Sequence, residues 1–289
     1  MSAGAPGVTT TVAATAGRQV PVNEQPAPSF RADRAVDSDI GILVRALDRQ
    51  DALPGVQRMR EWARAALEVK PGDRVLDVGA GTGSEVRVLA EIVGPSGRAV
   101  GVDPNTAMLA HAATLGPGEF VPGNAYDLPF EDATFDAVRC ERVYQHLDDP
   151  TTATAEILRV LRPGGRAVVI DSDWSTHILH PGDPDVVRAL ETWLLARATN
   201  PMSGRQLRGL LTKAGFIVDD LGSQAVIWDD DLTDLRAIAS PAVVAGAVTD
   251  AQFDRLVTEL EESARTGELH RSVTMFAAVG HKPIREHSR

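Results

Sequence analysis

Val75-Leu76-Asp77-Val78-Gly79-Ala80-Gly81-Thr82-Gly83 joins a short apolar run to a turn with glycine at every second position. The run reads as a strand, and a helical stretch, Ser84–Val93, follows it. Glycine tolerates positive φ and carries no Cβ, so such a turn lets backbone lie against a ligand while helix N–H groups point into the same crevice. A glycine turn that holds no ligand is the competing reading. The spacing is G-x-G-x-G, and Ser84 stands where a dinucleotide turn has its last glycine, which disfavours pyrophosphate recognition.

Outward from that turn, strand-like runs alternate with amphipathic helices. Ala99–Asp103 leads into Pro104–Thr114, then come Phe120–Val121, Phe135–Cys140 with Thr151–Leu161, and Ala167–Asp171. This alternation predicts βαβ crossovers and a parallel sheet. Helices are expected around Pro184–Ala198 and Ser203–Ala214, and late strands at Gln224–Trp228 and Ser272–Val279. Between those two strands lies a helical stretch with a Thr249-x-x-Gln252 capping box, a natural lid. Before the turn, Pro54 opens a helix with apolar residues at Val56, Met59, Trp62 and Ala63, and residues 30–54 read as a helical cap. Residues 1–29, rich in Ala, Thr, Gly and Pro, have no periodicity and read as a disordered tail.

The 289 residues are 43% hydrophobic, enough for one α/β domain with a modest insertion. A net charge of −11 and a pI near 5.1 disfavour a nucleic-acid substrate. Cys140 is the single cysteine, and no Cys/His spacing suggests a structural zinc site. His177, His180 and Asp183 form only a weak metal pattern, so no metal is expected. With no apolar run near the roughly 20 residues that span a bilayer, and no secretory leader pattern, a cytoplasmic protein is expected. A homodimer is compatible with the sequence.

Asp103 ends the second strand about 20 residues past the last glycine, where a carboxylate accepts hydrogen bonds from ribose hydroxyls. It equally suits the N-cap of a helix opening at Pro104. Three segments then agree. Asp77-Val78-Gly79-Ala80-Gly81-Thr82-Gly83, Gly101-Val102-Asp103-Pro104 with Met108, and Gly123-Asn124-Ala125-Tyr126-Asp127-Leu128-Pro129-Phe130 resemble the cofactor motifs of class I S-adenosylmethionine (SAM)-dependent methyltransferases. Leu158-Arg159-Val160-Leu161-Arg162-Pro163-Gly164-Gly165 resembles the family's approach to its fifth strand. The pattern is most similar to the ubiquinone and menaquinone methyltransferase branch, which includes many bacterial natural-product enzymes.

The resemblance implies a Rossmann-like, seven-stranded, mostly parallel sheet with an antiparallel last strand, the cap at 30–54 and the lid at 229–267. It implies SAM as cofactor and a small-molecule acceptor methylated at carbon, nitrogen or oxygen, in bacterial secondary metabolism. Asp77, Gly79, Gly81, Gly83, Asp103, Pro104, Met108, Asn124, Ala125, Tyr126 and Glu141 are the expected cofactor residues. The family usually has Asp at Asn124; either side chain can accept a bond from the adenine amino group.

Acceptor chemistry is sought at the ends of the fourth and fifth strands, where open α/β sheets bind ligands. His146 has the pKa range of a general base, and Tyr144 is a candidate to orient or deprotonate an acceptor; both equally fit packed loop residues. Asp173, Trp174 and His177 are candidate pocket residues, with Trp174 offering a flat surface, against a reading as wall or surface residues. Arg142 is left open between pairing with a nearby acid and gripping an acidic acceptor. Trp228 reads as core or lid. Two rivals share the fold: a non-methylating SAM enzyme such as a cyclase, and a non-catalytic SAM binder.

Overall fold

The computed structural model describes residues 40–228 and 232–284. The expected tail, residues 30–39 of the cap and the first three residues of the expected lid lie outside them.

Helix α1 (Ile40–Asp51) is followed by α2 (Pro54–Leu67), with proline at its start. Then come β1 (Arg74–Val78), α3 (Ser84–Val93), β2 (Arg98–Asp103), α4 (Thr106–Ala113), β3 (Glu119–Pro122) and β4 (Phe135–Glu141). A 3-10 turn at Tyr144–His146 leads to α5 (Pro150–Val160), β5 (Leu161–His180), α6 (Pro184–Leu195) and α7 (Ser203–Ala214). Finally β6 (Ile217–Ile227), α8 (Thr233–Val244), α9 (Asp250–Thr266) and β7 (His270–His281) complete the chain.

The seven strands form one sheet in the order β3-β2-β1-β4-β5-β7-β6. β1 to β5 pair in parallel, while β7 runs antiparallel between β5 and β6. The strand order reverses beside β1, and at such a switch the carboxyl ends of neighbouring strands open a crevice.

Alternation along the strands decides what each face carries. Leu76, Val78, Val138 and Cys140 pack on one face with Ile157 of α5 and Leu207 and Leu211 of α7. Val75 and Ala137 face the other side, against Met59 and Ala63 of α2 and Val86 and Leu89 of α3. By the same alternation Asp77, Arg139 and Glu141 point to the α2 and α3 side, so charge is buried at the end of an otherwise apolar layer.

Most expected elements form within a residue or two, with instructive exceptions. α4 starts at Thr106 because Asn105, not Asp103, caps it, its side chain accepting from the Met108 N–H at 3.0 Å. β6 begins seven residues before the expected Gln224. It is an edge strand with one neighbour and mostly exposed side chains, so Asp219, Asp220 and Gly222 interrupt its pattern at no cost to the core. The helical insertion lies where expected, before the last strand. Leu235 and Ala239 of α8 and Phe253, Leu256 and Leu260 of α9 pack with Val186 and Leu190 of α6 as a separate apolar cluster.

Candidate functional site

A cleft of about 840 Å³ runs along the carboxyl ends of β1, β2, β4 and β5. That volume lies in the range of small-molecule and cofactor sites.

At one end the glycine turn folds against β2, the Gly79 and Ala80 N–H groups donating to the Val102 carbonyl at 2.7 and 3.0 Å. Gly79 has φ 76°, and a Cβ there would stand 2.2 Å from Val143 Cγ2, so backbone and the β4 loop approach as only glycine allows. Asp103 sits behind the turn. Its carboxylate accepts from Gly81 N–H at 3.0 Å and Asn105 N–H at 2.9 Å, with no cation bonded to it among the described residues. Burial raises its pKa against those two bonds. Pro104, Met108, Ala125 and Tyr126 line the cleft beside it. The Tyr126 hydroxyl accepts from Asp148 N–H at 2.9 Å, tying this loop to the one after β4.

At the middle of the cleft the buried charges meet. Arg139 stands beside Asp77 in the β1–β4 pairing and donates to it at 3.0 Å; it also bonds Glu141. Arg60 of α2 grips Glu141 with Nε at 2.9 Å and Nη2 at 3.1 Å, and reaches Asp51 of α1 at 2.8 Å. Burial raises the Glu141 carboxyl, but Arg139, Arg60 and Arg142 overcome that and hold it at about 2. Burial takes Asp77 up to about 6 despite the Arg139 guanidinium. Among the described residues the buried Nε of Arg139 has no hydrogen-bond partner, and a Glu85 carboxylate oxygen lies 3.5 Å from it.

Arg142 follows β4 with φ 56°, rare for a residue with a side chain. Its N–H donates to the Ile170 carbonyl at 2.8 Å, and its guanidinium bonds Gln50 of α1. α1 thereby closes one wall, and Leu47 Cδ1 lies 3.1 Å from where a Cβ on Gly81 would be.

The far end is aromatic and apolar. Trp174 and Trp228 stack with centroids 6.0 Å apart and planes 20° apart, and Arg271 lies over Trp228 at 4.6 Å. Val226, Val273 and Met275 continue this wall, and His146, Gln145, Ser172 and Pro201 line the cleft near it.

Four expected site residues lie elsewhere. Tyr144 is 1% exposed in the core, where its hydroxyl bonds Thr154 Oγ1 at 2.9 Å and burial drives its pKa far up, so it does not line the cleft. Asp173 is fully buried, bonded to Arg205 and to the Ser175 hydroxyl at 2.7 Å. His177 pairs with Glu191 at 3.1 Å, burial lowering its pKa, and is likewise outside the cleft lining. Gly83, at φ 70°, opens α3 and packs where a Cβ would strike the Phe120 ring at 2.6 Å; it serves helix packing. Asn124 lines the cleft, but its side-chain oxygen accepts from Tyr126 N–H at 2.8 Å and Asp127 N–H at 3.1 Å. In this structure that oxygen shapes the loop from within the cleft lining.

Sequence reasoning missed Arg60, Arg139 and Gln145, and left the wall role of Trp228 unassigned. Arginine in a strand read as apolar, immediately before Cys140 and Glu141, was the available signal for Arg139. Arg60 and Gln145 carry no local signal, since their partners are distant in sequence.

A methyltransferase-domain family model matches residues 76–169, which hold the glycine turn, Asp103, Asn124 and His146. The chain is 35% identical over 224 residues to the ubiquinone/menaquinone biosynthesis C-methyltransferase UbiE of Ectopseudomonas mendocina, covering 74% of this chain and 78% of that one. It is 31% identical over 274 residues to an uncharacterized 37.1 kDa protein in transposon TN4556 of Streptomyces fradiae, covering 91% and 78%. Among solved structures, the phosphoethanolamine N-methyltransferase 2 of Haemonchus contortus in complex with SAM superposes with a TM-score of 0.55 at 20% identity, covering 89% of this chain and 60% of that one; that likeness concerns the fold. With the strand order, the turn and the carboxylate behind it, these similarities lead to one statement: the chain belongs to the class I SAM-dependent methyltransferases.

Proposed function

We propose that this methyltransferase acts on a small-molecule acceptor that enters over His146 and Trp174, with His146 taking the acceptor's proton. One observation carries the reading: the Gly79 turn, Asp103, His146 and the Trp174–Trp228 wall line a single continuous cleft.

The residues present fit the cofactor. Asp103 is a half-buried carboxylate with acceptor capacity left for hydroxyl donors, and the turn offers a surface free of side chains. Arg60, Arg139 and Arg142 among Asp51, Asp77 and Glu141 supply both signs of charge for an amino-acid end. When bound, SAM supplies an electrophilic methyl on a sulfonium. The protein's part is then to hold the acceptor's nucleophile in line and keep water away. The apolar wall excludes water, and α1 covers the turn. For an acceptor that starts protonated, such as a phenol or amine, a base at His146 contributes roughly 10²–10⁴-fold. Tyr144 and Asp173 take no part, being bonded in the core.

A setting in bacterial secondary metabolism is part of this proposal and rests on the sequence resemblance alone. The decisive experiment incubates the protein with bacterial extract and SAM labelled in its methyl group, then follows label by mass spectrometry. A product heavier by one labelled methyl is expected; a product formed without label, as a cyclase gives, would overturn the reading. With that product as assay, His146→Ala should cut kcat at least tenfold, and a rate within twofold of the parent removes His146 as base.

A further inference from the structure

Gln145 makes four hydrogen bonds at the acceptor end. Its N–H donates to Asp171 Oδ2 at 3.0 Å, and its carbonyl accepts from Asn200 N–H at 3.1 Å. Its side-chain oxygen accepts the indole N–H of Trp174 at 2.6 Å, and its side-chain nitrogen donates to the Arg142 carbonyl at 3.2 Å. One side chain and its peptide thus join the ends of β4 and β5 and the segment between α6 and α7. Arg142, the residue with φ 56°, is one of those anchors.

Trp174 is held from three sides. Gln145 takes its indole N–H, Pro201 accepts its backbone N–H at 2.8 Å, and its ring stacks on Trp228. Centroids 6.0 Å apart leave no room for a third ring between the two, because a sandwich needs roughly twice the contact distance of about 3.5–4.0 Å. An acceptor must lie on the open side of the pair, and the rotation of Trp174 about its side-chain bonds sets that surface. His146 adjoins Gln145 in the chain, so the anchors that fix the Gln145 peptide also fix the position of His146.

We propose that Gln145 is a positioning residue that sets acceptor specificity: by holding the Trp174 indole parallel to Trp228, beside His146, it shapes the cleft for a flat ring. The proposal rests on the acceptor side assigned above, and a cofactor measurement separates the two. Without the Gln145 oxygen the indole N–H loses its partner and the ring turns. Gln145 reaches the cofactor side through its bond to the Arg142 carbonyl, which Met and Glu both lose, so a loss that Glu restores belongs to the indole contact.

The test uses the full chain saturated with S-adenosylhomocysteine and two uncharged probes, 2-naphthol, which is flat, and 2-decalol, which has the same two-ring skeleton puckered. Calorimetry should show the wild type binding 2-naphthol at least tenfold more tightly than 2-decalol. Gln145→Met should lower the 2-naphthol affinity about tenfold, the size of one lost hydrogen bond. Any change for 2-decalol and S-adenosylhomocysteine should be smaller and the same in Gln145→Glu, which also lacks the bond to the Arg142 carbonyl but keeps an acceptor oxygen and restores most of the 2-naphthol loss. Trp174→Phe should cost a similar factor, and the double variant with Gln145→Met no more than either single change. Equal binding of the two probes by the wild type, additive losses, or no rescue by Glu overturns the proposal. Should Gln145→Met not fold, amide-exchange NMR of the wild type decides: the Trp174 indole N–H, assigned with Trp174→Phe, must exchange more slowly than an exposed indole, and fast exchange overturns the bond. Failure to bind S-adenosylhomocysteine instead sinks the cofactor reading.

Discussion

Asp171 is a carboxylate with no ion-pair partner among the described residues, buried completely midway along β5, where it accepts the N–H groups of Gln145 and Ser172. Burial pushes it up to about 7 against those bonds. Between about pH 4 and 7 the folded chain therefore holds a proton that the unfolded chain has released. Its stabilising contribution is complete below the ordinary carboxyl value near 3.8 and is lost as pH rises through about 7. Asp171→Asn keeps an oxygen for Gln145 and cannot titrate, so the fall in denaturation midpoint from pH 4 to 7 should be shallower than in the parent; identical slopes would rule out a raised Asp171. Asp103 predicts a different loss. Replacing it with Ala removes the carboxylate behind the glycine turn and should weaken SAM binding by roughly 1–3 kcal/mol in calorimetry, and an unchanged affinity would count against the adenosine end assigned here. These two acids differ in how readable they were: Asp103 announces itself by following a strand at a set distance from glycines, whereas Asp171 reads as the end of an apolar run.

Between elements, the joint that matters most is Arg139 of β4 with Asp77 of β1 and Glu141 of its own strand. Removing one member of a buried ion cluster leaves the others charged and unpaired, at roughly 3–5 kcal/mol. Arg139→Met should lower the urea midpoint accordingly, and adding Asp77→Asn should recover part of the loss; a single variant as stable as the parent would show the cluster to be dispensable. β1, β2 and β4 were legible because they are buried on both faces and flanked by glycine or helix signals, as in Val75–Val78. β6 was half hidden, since an exposed edge strand has no apolar pattern to display. Tyr144 and Asp173 failed as site candidates for a related reason. Sequence places them at the correct strand ends, but alternation and the turn at Tyr144–His146 decide whether they face cleft or core. Trp174 and His146 face the cleft from the same two segments.

For the molecule as a whole, the apolar layers on both sides of the sheet fix a rigid floor, while among the described residues the wall over the glycine turn is a single helix. α1 is held there by Leu43, buried against the body, by the Asp51–Arg60 pair at 2.8 Å and by Gln50 on Arg142. Leu47→Ala trims the side chain facing Gly81, and stopped-flow dissociation of S-adenosylhomocysteine should become several-fold faster, with little change in global stability; an unaltered rate would free the helix from any role in exchange. A ligand resting against that turn has α1 as its roof, so the Leu47 contact bears on how fast the ligand leaves as well as on how tightly it is held.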